Sequence, residues 1–76
     1  MKKTINKSVQ ESVEEYLRMM SEESISGLYE MVQAEVEEPL LRAVLEFTNH
    51  NQSQSAQILG LNRGTLRKKL GKYNLL

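Results

Sequence analysis

The sequence predicts an all-α chain of four helices, and three observations carry that prediction. Apolar residues recur at spacings of three and four, the period of a helix face, and no segment reads as a strand. Asn51 and Asn62 stand just ahead of two short periodic segments, where helix N-caps belong. Gly60 separates those segments as a left-handed helix stop. No internal repeat or low-complexity stretch interrupts the pattern.

In the first helix, Val9, Val13, Tyr16, Leu17 and Met20 form one stripe. Its start is open between Ser8, which makes a capping box with Glu11, and an earlier cap at Thr4 or Asn6. Residues 21–27 are polar and aperiodic and read as a connection. The second helix is expected to begin with Ser24 or Ser26 as N-cap and to run to about Thr48. Its apolar positions are Leu28, Tyr29, Met31, Val32, Val36, Leu40, Leu41, Val44, Leu45 and Phe47. A stripe that wide in so small a chain calls for more than one intramolecular partner. Pro39 removes a donor and crowds the preceding turn, so it either kinks one long helix or opens a new one at its first position. Val36, Leu40 and Val44 stay in phase across it, which favours the kinked helix.

Asn49-His50-Asn51 ends that helix. Asn51 with Gln54 caps a third, from about Gln52 to Leu59. Asn62 caps a fourth, with Leu66, Leu70 and Tyr73 as its buried stripe. Thr65, Lys68, Lys69 and Lys72 are expected on the opposite side, with Arg63 and Arg67 at its margin.

With 76 residues there is room for one domain, and a chain this short is a marginal monomer. The sequence has no cysteine, hence no disulfide framework and no thiolate metal site. Oligomerisation is the remaining common remedy for a small core. No apolar run is long enough to cross a bilayer, so no membrane partner is expected. Asn6, Lys7, Ser8 and Gln10 follow the opening Met-Lys-Lys-Thr where a signal peptide would need apolar residues, so the expected location is the cytoplasm.

A formal net charge of zero hides a sharp polarity. Residues 1–38 hold four basic and nine acidic side chains; residues 39–76 hold six basic and one acidic. From Leu61 onward there are five basic residues and no acidic one. Such a chain suits presenting one end to a polyanion and keeping the other end off it.

The last two helices, with small residues at their crossing, a glycine turn and a basic open side, read as a helix-turn-helix. That motif lays its second helix in the major groove of DNA. The helix N-termini at Asn51 and Asn62 offer backbone N–H groups and a positive dipole end to phosphates, and Ser53 and Thr65 add hydroxyls on the same first turns. Arg63 is the candidate for reading a base, since a guanidinium pairs twice with guanine O6 and N7. Asn62 either contacts a base edge or only caps its helix. The lysines are expected on phosphates, giving affinity without sequence information.

Other chemistry is poorly supplied. His50, the one histidine, sits in a turn and reads as solvated. The glutamates at 14, 15, 22, 23, 37 and 38 read as a solvated outer face, and Met19, Met20 and Met31 as core or interface filler. No phosphate loop, nucleophile elbow or zinc spacing occurs, so no catalytic residue, metal or cofactor is expected.

Residues 28–73, with LYEMVQAEVEEPLL followed by NQSQSAQILGLNRGTLRKKLGKY, resemble the bacterial factor for inversion stimulation (Fis) family. The GLNRGTLRKKL segment is highly specific for it, although a similar helix-turn-helix ends many NtrC-type activators. The resemblance implies a single Fis-like domain over residues 1–76. Residues 1–48 would then form dimerisation helices that intertwine with a second copy, and residues 49–76 the DNA-binding region. It implies that Asn51, Ser53, Asn62, Arg63, Thr65, Arg67, Lys68, Lys69 and Lys72 line double-stranded DNA, with Arg63 reading a guanine in each half-site. It further implies a nucleoid-associated regulator of transcription that bends DNA because its recognition helices stand closer than one duplex turn, preferring A/T-rich centres.

The chain departs from the family in several places. It starts almost at the first helix, so the family's N-terminal hairpin arm and its recombinase activation are not expected. Asn49-His50, Gln54 and Gly71 stand where the best-known members have Arg-Gly, Arg and Lys, and Ser53 stands for Thr. Weaker binding or reduced wrapping of flanking DNA would follow, and the family's contact from that turn to RNA polymerase is put in question. Two alternatives remain: a protein-interaction module with a vestigial helix-turn-helix, or a detached NtrC-type activator tail.

Overall fold

A computed structural model describes residues 4–20 and 25–76. Four helices follow in order: α1 Ile5–Met19, α2 Leu28–Phe47, α3 Gln52–Leu59 and α4 Arg63–Lys72. No strand occurs among the described residues, in keeping with the all-α expectation. By its contacts the chain divides between Val32 and Gln33 into two compact units, and α2 runs across that boundary.

In the first unit, α1 begins at the earlier of the competing caps. Thr4 is extended, and its side chain accepts the Lys7 N–H at 3.3 Å. Ser8 and Glu11 therefore lie inside the helix rather than forming a capping box. The Met20 N–H closes the last turn on the Tyr16 carbonyl at 3.1 Å, and no residue of α1 is buried. Of the expected caps of α2, Ser24 lies outside the described residues and Ser26 is not used. The Met31 N–H bonds to the Gly27 carbonyl at 3.1 Å, so Gly27, at φ 66°, occupies the cap position. Glycine is an accepted cap because it reaches such backbone angles without steric cost.

In the second unit, α2 passes through Pro39 without a break, which excludes a new helix starting there. Its packed face is not the Val36, Leu40, Val44 row. Leu41 and Leu45 are buried and Thr48 continues their row, whereas Leu40 is 49% exposed. Leu41, Leu45, Ala56, Leu66 and Leu70 form one core, with Leu59, Leu61, Tyr73 and Leu75 packed against it. The sequence-based division at residue 48 differs from this one because Leu41 and Leu45 share a core with α3 and α4.

The connections set how α3 and α4 are presented. Asn49 and His50 both take positive φ, 54° and 65°, turning the chain off α2, and the His50 N–H bonds back to the Leu45 carbonyl at 2.7 Å. Asparagine and histidine are among the non-glycine residues most often found there. Buried at this corner, the Thr48 and Ser55 hydroxyls bond at 2.7 Å, and Thr48 also donates toward the Leu45 carbonyl at 3.2 Å. Gly60, at φ 76°, ends α3, and the Leu61 N–H reaches the Ala56 carbonyl at 2.9 Å. That is the glycine stop expected, with Leu61 supplying the apolar contact that accompanies it. Asn74, at φ 59°, repeats the device after α4, where the Leu75 N–H bonds to the Leu70 carbonyl at 2.8 Å.

Candidate nucleic-acid interface

Gly60 joins the end of α3 to the start of α4, and each of these helices opens on an asparagine. The Asn51 side chain accepts the Gln54 N–H at 2.9 Å, and Asn62 accepts the Thr65 N–H at 2.8 Å. Each asparagine thus satisfies one of the N–H groups that helical geometry leaves without partners in the first turn. The preceding N–H groups, of Gln52 and Ser53 in α3 and of Arg63 and Gly64 in α4, have no acceptor within the helix. Capping engages only the oxygen of Asn62, so its amide NH₂ retains donor capacity.

Asn51, Ser53, Asn62, Arg63, Arg67, Lys68 and Lys72 are exposed, and Thr65 is partly so. The Arg67 Nη1 donates to the Gln52 Oε1 at 3.2 Å, linking α4 to the first turn of α3. The Lys72 ammonium lies 5.4 Å from the centroid of the Tyr73 ring, within cation–π range. Neither link adds a negative charge beside these cations.

Lys69 differs from its neighbours. Expected on the open side, it is only partly exposed, and its Nζ donates to the Glu37 Oε2 at 2.6 Å. The Tyr73 hydroxyl donates to the other oxygen, Oε1, also at 2.6 Å. Lys69 stands about 60° around the helix from Leu66, at the edge of the packed stripe, from which a long side chain reaches α2. Glu37 correspondingly leaves the solvated face expected of the acidic residues. It lies four residues before Leu41, in the row that continues through Leu45, a spacing that could have marked it. Glu38 meets the expectation better, remaining near solvent and pairing with Arg42 at 2.7 Å.

The bonds from Lys69 and then Tyr73 hold the Glu37 carboxyl below its ordinary 4.5, against a smaller opposing effect of burial. The same carboxylate pushes the Tyr73 hydroxyl up to about 12. Folded Glu37 gives up its proton more readily than unfolded Glu37, so its stabilisation is whole above about pH 4.5 and is lost as pH falls through the folded value. Tyr73 acts at the other end, stabilising below about pH 10 and ceasing to do so as pH rises toward 12. Glu37→Gln should cost roughly 1–2 kcal/mol at neutral pH, since partly exposed charge-assisted bonds are worth about that. In urea titrations followed by circular dichroism, the gap between variant and wild type should close as pH falls through the lowered Glu37 value. A gap that persists in acid would assign the loss to packing instead.

Among the described residues, no group of three or more His, Asp or Glu side chains is placed to hold a metal ion, and no helix is long and apolar enough to cross a membrane. His50 is exposed in its turn. Sequence reasoning did not single out Glu37, Gln52, Thr48 or Ser55 for the contacts they make.

Residues 32–73 match the family described as bacterial regulatory protein, Fis family. The chain is also similar to proteins named DNA-binding protein Fis. With that of Proteus mirabilis it shares 45% identity over 73 residues, covering 96% of this chain and 74% of the relative. With that of Vibrio atlanticus the identity is 47% over the same coverage, and with that of Vibrio cholerae serotype O1 it is 45%.

Proposed function

The chain belongs to the Fis family of bacterial regulatory proteins, and on that premise we propose that it acts as a homodimer that binds and bends double-stranded DNA. The observation that carries the reading is the pair of capped helix starts beside a row of exposed cations: Arg63, Arg67, Lys68 and Lys72. Asn51, Ser53 and Thr65 sit on the same two first turns, where phosphates are held by N–H groups and hydroxyls. Asn62 presents its amide NH₂ to the duplex while its oxygen caps α4. Lys69, with its charge balanced by Glu37, stands apart from this set.

Dimerisation is supported by apolar surface that a single chain leaves open. No residue of the α1 stripe is fully buried, and Tyr29 and Phe47 are 77% and 79% exposed. The similarity to the relatives extends well beyond the helix-turn-helix, which favours a stand-alone regulator over a detached activator tail. Two recognition helices on one small dimer stand close together, and bending the duplex brings both into successive grooves. The protein then works on the bacterial nucleoid as a sequence-tolerant regulator of transcription.

Arg63 tests the base-reading part. Arg63→Ala should cost roughly 1–3 kcal/mol on a selected site and relax the preference at one base of each half-site. Binding-site selection with wild type and variant, followed by anisotropy titrations on the winning duplexes, measures both. Identical base preferences for the two proteins would remove Arg63 from that role.

A further inference from the structure

We propose that Glu37 is a positioning residue for DNA binding, which fixes α4 on the second half of α2 and withholds the Lys69 ammonium from the phosphates. The inference rests on the DNA-binding reading above. Its starting point is that both oxygens of one carboxylate are engaged from α4 and its C-cap, Oε2 by Lys69 and Oε1 by Tyr73, each at 2.6 Å.

The leucines that join α4 to α2 attract without direction, so they permit the helix to turn about its axis or slide by a fraction of a turn. Lys69 and Tyr73 lie one turn apart along the same edge of α4. Two directed bonds to a single group, one turn apart, set the rotation and the height of the helix together. Arg63, Lys68 and Lys72 are thereby aimed by residues that do not themselves touch the duplex.

Charge points the same way. Among the described residues, Lys69 is the only cation of α4 that forms an ion pair. To reach a phosphate it would abandon a short charge-assisted bond and leave Glu37, already a repulsive charge toward DNA, without its counterion. Lys68, one residue earlier, is exposed and gives up no ion pair.

The dependence of affinity on salt distinguishes these roles, because its slope counts phosphates neutralised. Full-length protein is titrated by anisotropy against a labelled duplex over a range of KCl concentrations. Lys68→Met should flatten the slope of log affinity against log salt by about 1.8 per dimer, two copies at about 0.9 each. Lys69→Met should leave the slope at its wild-type value. Glu37→Gln should steepen it by up to about 1.8 as the released ammonium joins the phosphates, and Lys69→Met in that background should restore it. Glu37→Gln should also narrow the affinity gap between a selected site and random duplex, which a mere loss of stability would not do in protein shown to be folded by circular dichroism. A Lys69→Met slope as flat as that of Lys68→Met would overturn the proposal. So would a folded Glu37→Gln protein with an unchanged slope. If Glu37→Gln does not fold, the comparison of the two lysine variants decides alone. Failure of the wild-type protein to bind any duplex would instead remove the DNA-binding reading.

Discussion

Raising monovalent salt from about 50 to 200 mM is expected to weaken binding to duplex DNA by roughly a thousandfold or more. The expectation follows from where the charges lie rather than from how many there are. With ten basic and ten acidic residues, the protein as a whole has no net attraction for a polyanion. Five of the cations nevertheless fall in the last sixteen residues with no acidic residue among them. The helix starts at Asn51 and Asn62 add partial positive charge beside them. The proposed dimer would neutralise roughly 6–10 phosphates, each releasing about 0.9 of a condensed counterion, so affinity should fall as a high power of salt.

Anisotropy titrations at several KCl concentrations measure the slope directly. A slope near zero with affinity intact would mean that contacts other than phosphate neutralisation hold the duplex, and the proposed interface would fail. The acidic first half sharpens the expectation. Net negative over residues 1–38, that half of the chain is repelled by a polyanion. Charge-reversing several glutamates of α1, such as Glu14 and Glu15, should therefore raise non-specific affinity.

What was legible in the sequence divides by range. The caps at Asn51 and Asn62 and the stop at Gly60 were readable because each device is complete within six residues: a cap, its N–H partner and a permissive backbone angle. The start of α1 was less so, because Thr4 and Ser8 are both competent caps and local chemistry does not rank them. Gly27 stands at the cap of α2 in place of Ser26 for a similar reason, since a glycine reaches positive φ without steric cost. Tertiary partners were not readable at all. Helical spacing places Lys69 near the margin of a face but does not say that a carboxylate 32 residues earlier waits there. Likewise, nothing near Thr48 in sequence indicates that its hydroxyl meets Ser55 inside the fold. The wide apolar pattern of α2 concealed which row packs internally, and the answer, Leu41 and Leu45 rather than Leu40 and Val44, depends on α3 and α4 being present.

Leu70→Ala is expected to unfold the unit Gln33–Leu76. Leu70 is the most deeply buried residue of the protein's small core, fully inaccessible, with Leu66 and Leu41 at 1%. Truncating a leucine at such a site costs roughly 2–5 kcal/mol, because the transfer term and the cavity term add when neighbours do not collapse. The core around it consists of four other buried side chains and four partly buried ones, so little is left to move in. At about 0.05–0.15 kcal/mol per residue, the unit Gln33–Leu76 has only roughly 2–7 kcal/mol to lose. The substitution also weakens the support for Tyr73 and Leu75, which pack on the same cluster and close the end of α4. Melting followed by circular dichroism at fixed protein concentration, together with duplex titrations at low salt, reads the outcome. Helicity should fall already near 25 °C and DNA affinity should fall with it, whereas Ile58→Ala, on the exposed side of α3, should change stability by no more than about 0.5 kcal/mol. A Leu70→Ala protein that melts with wild type would show that dimer contacts rather than this core hold α4 in place, since a second copy stabilises whatever it binds.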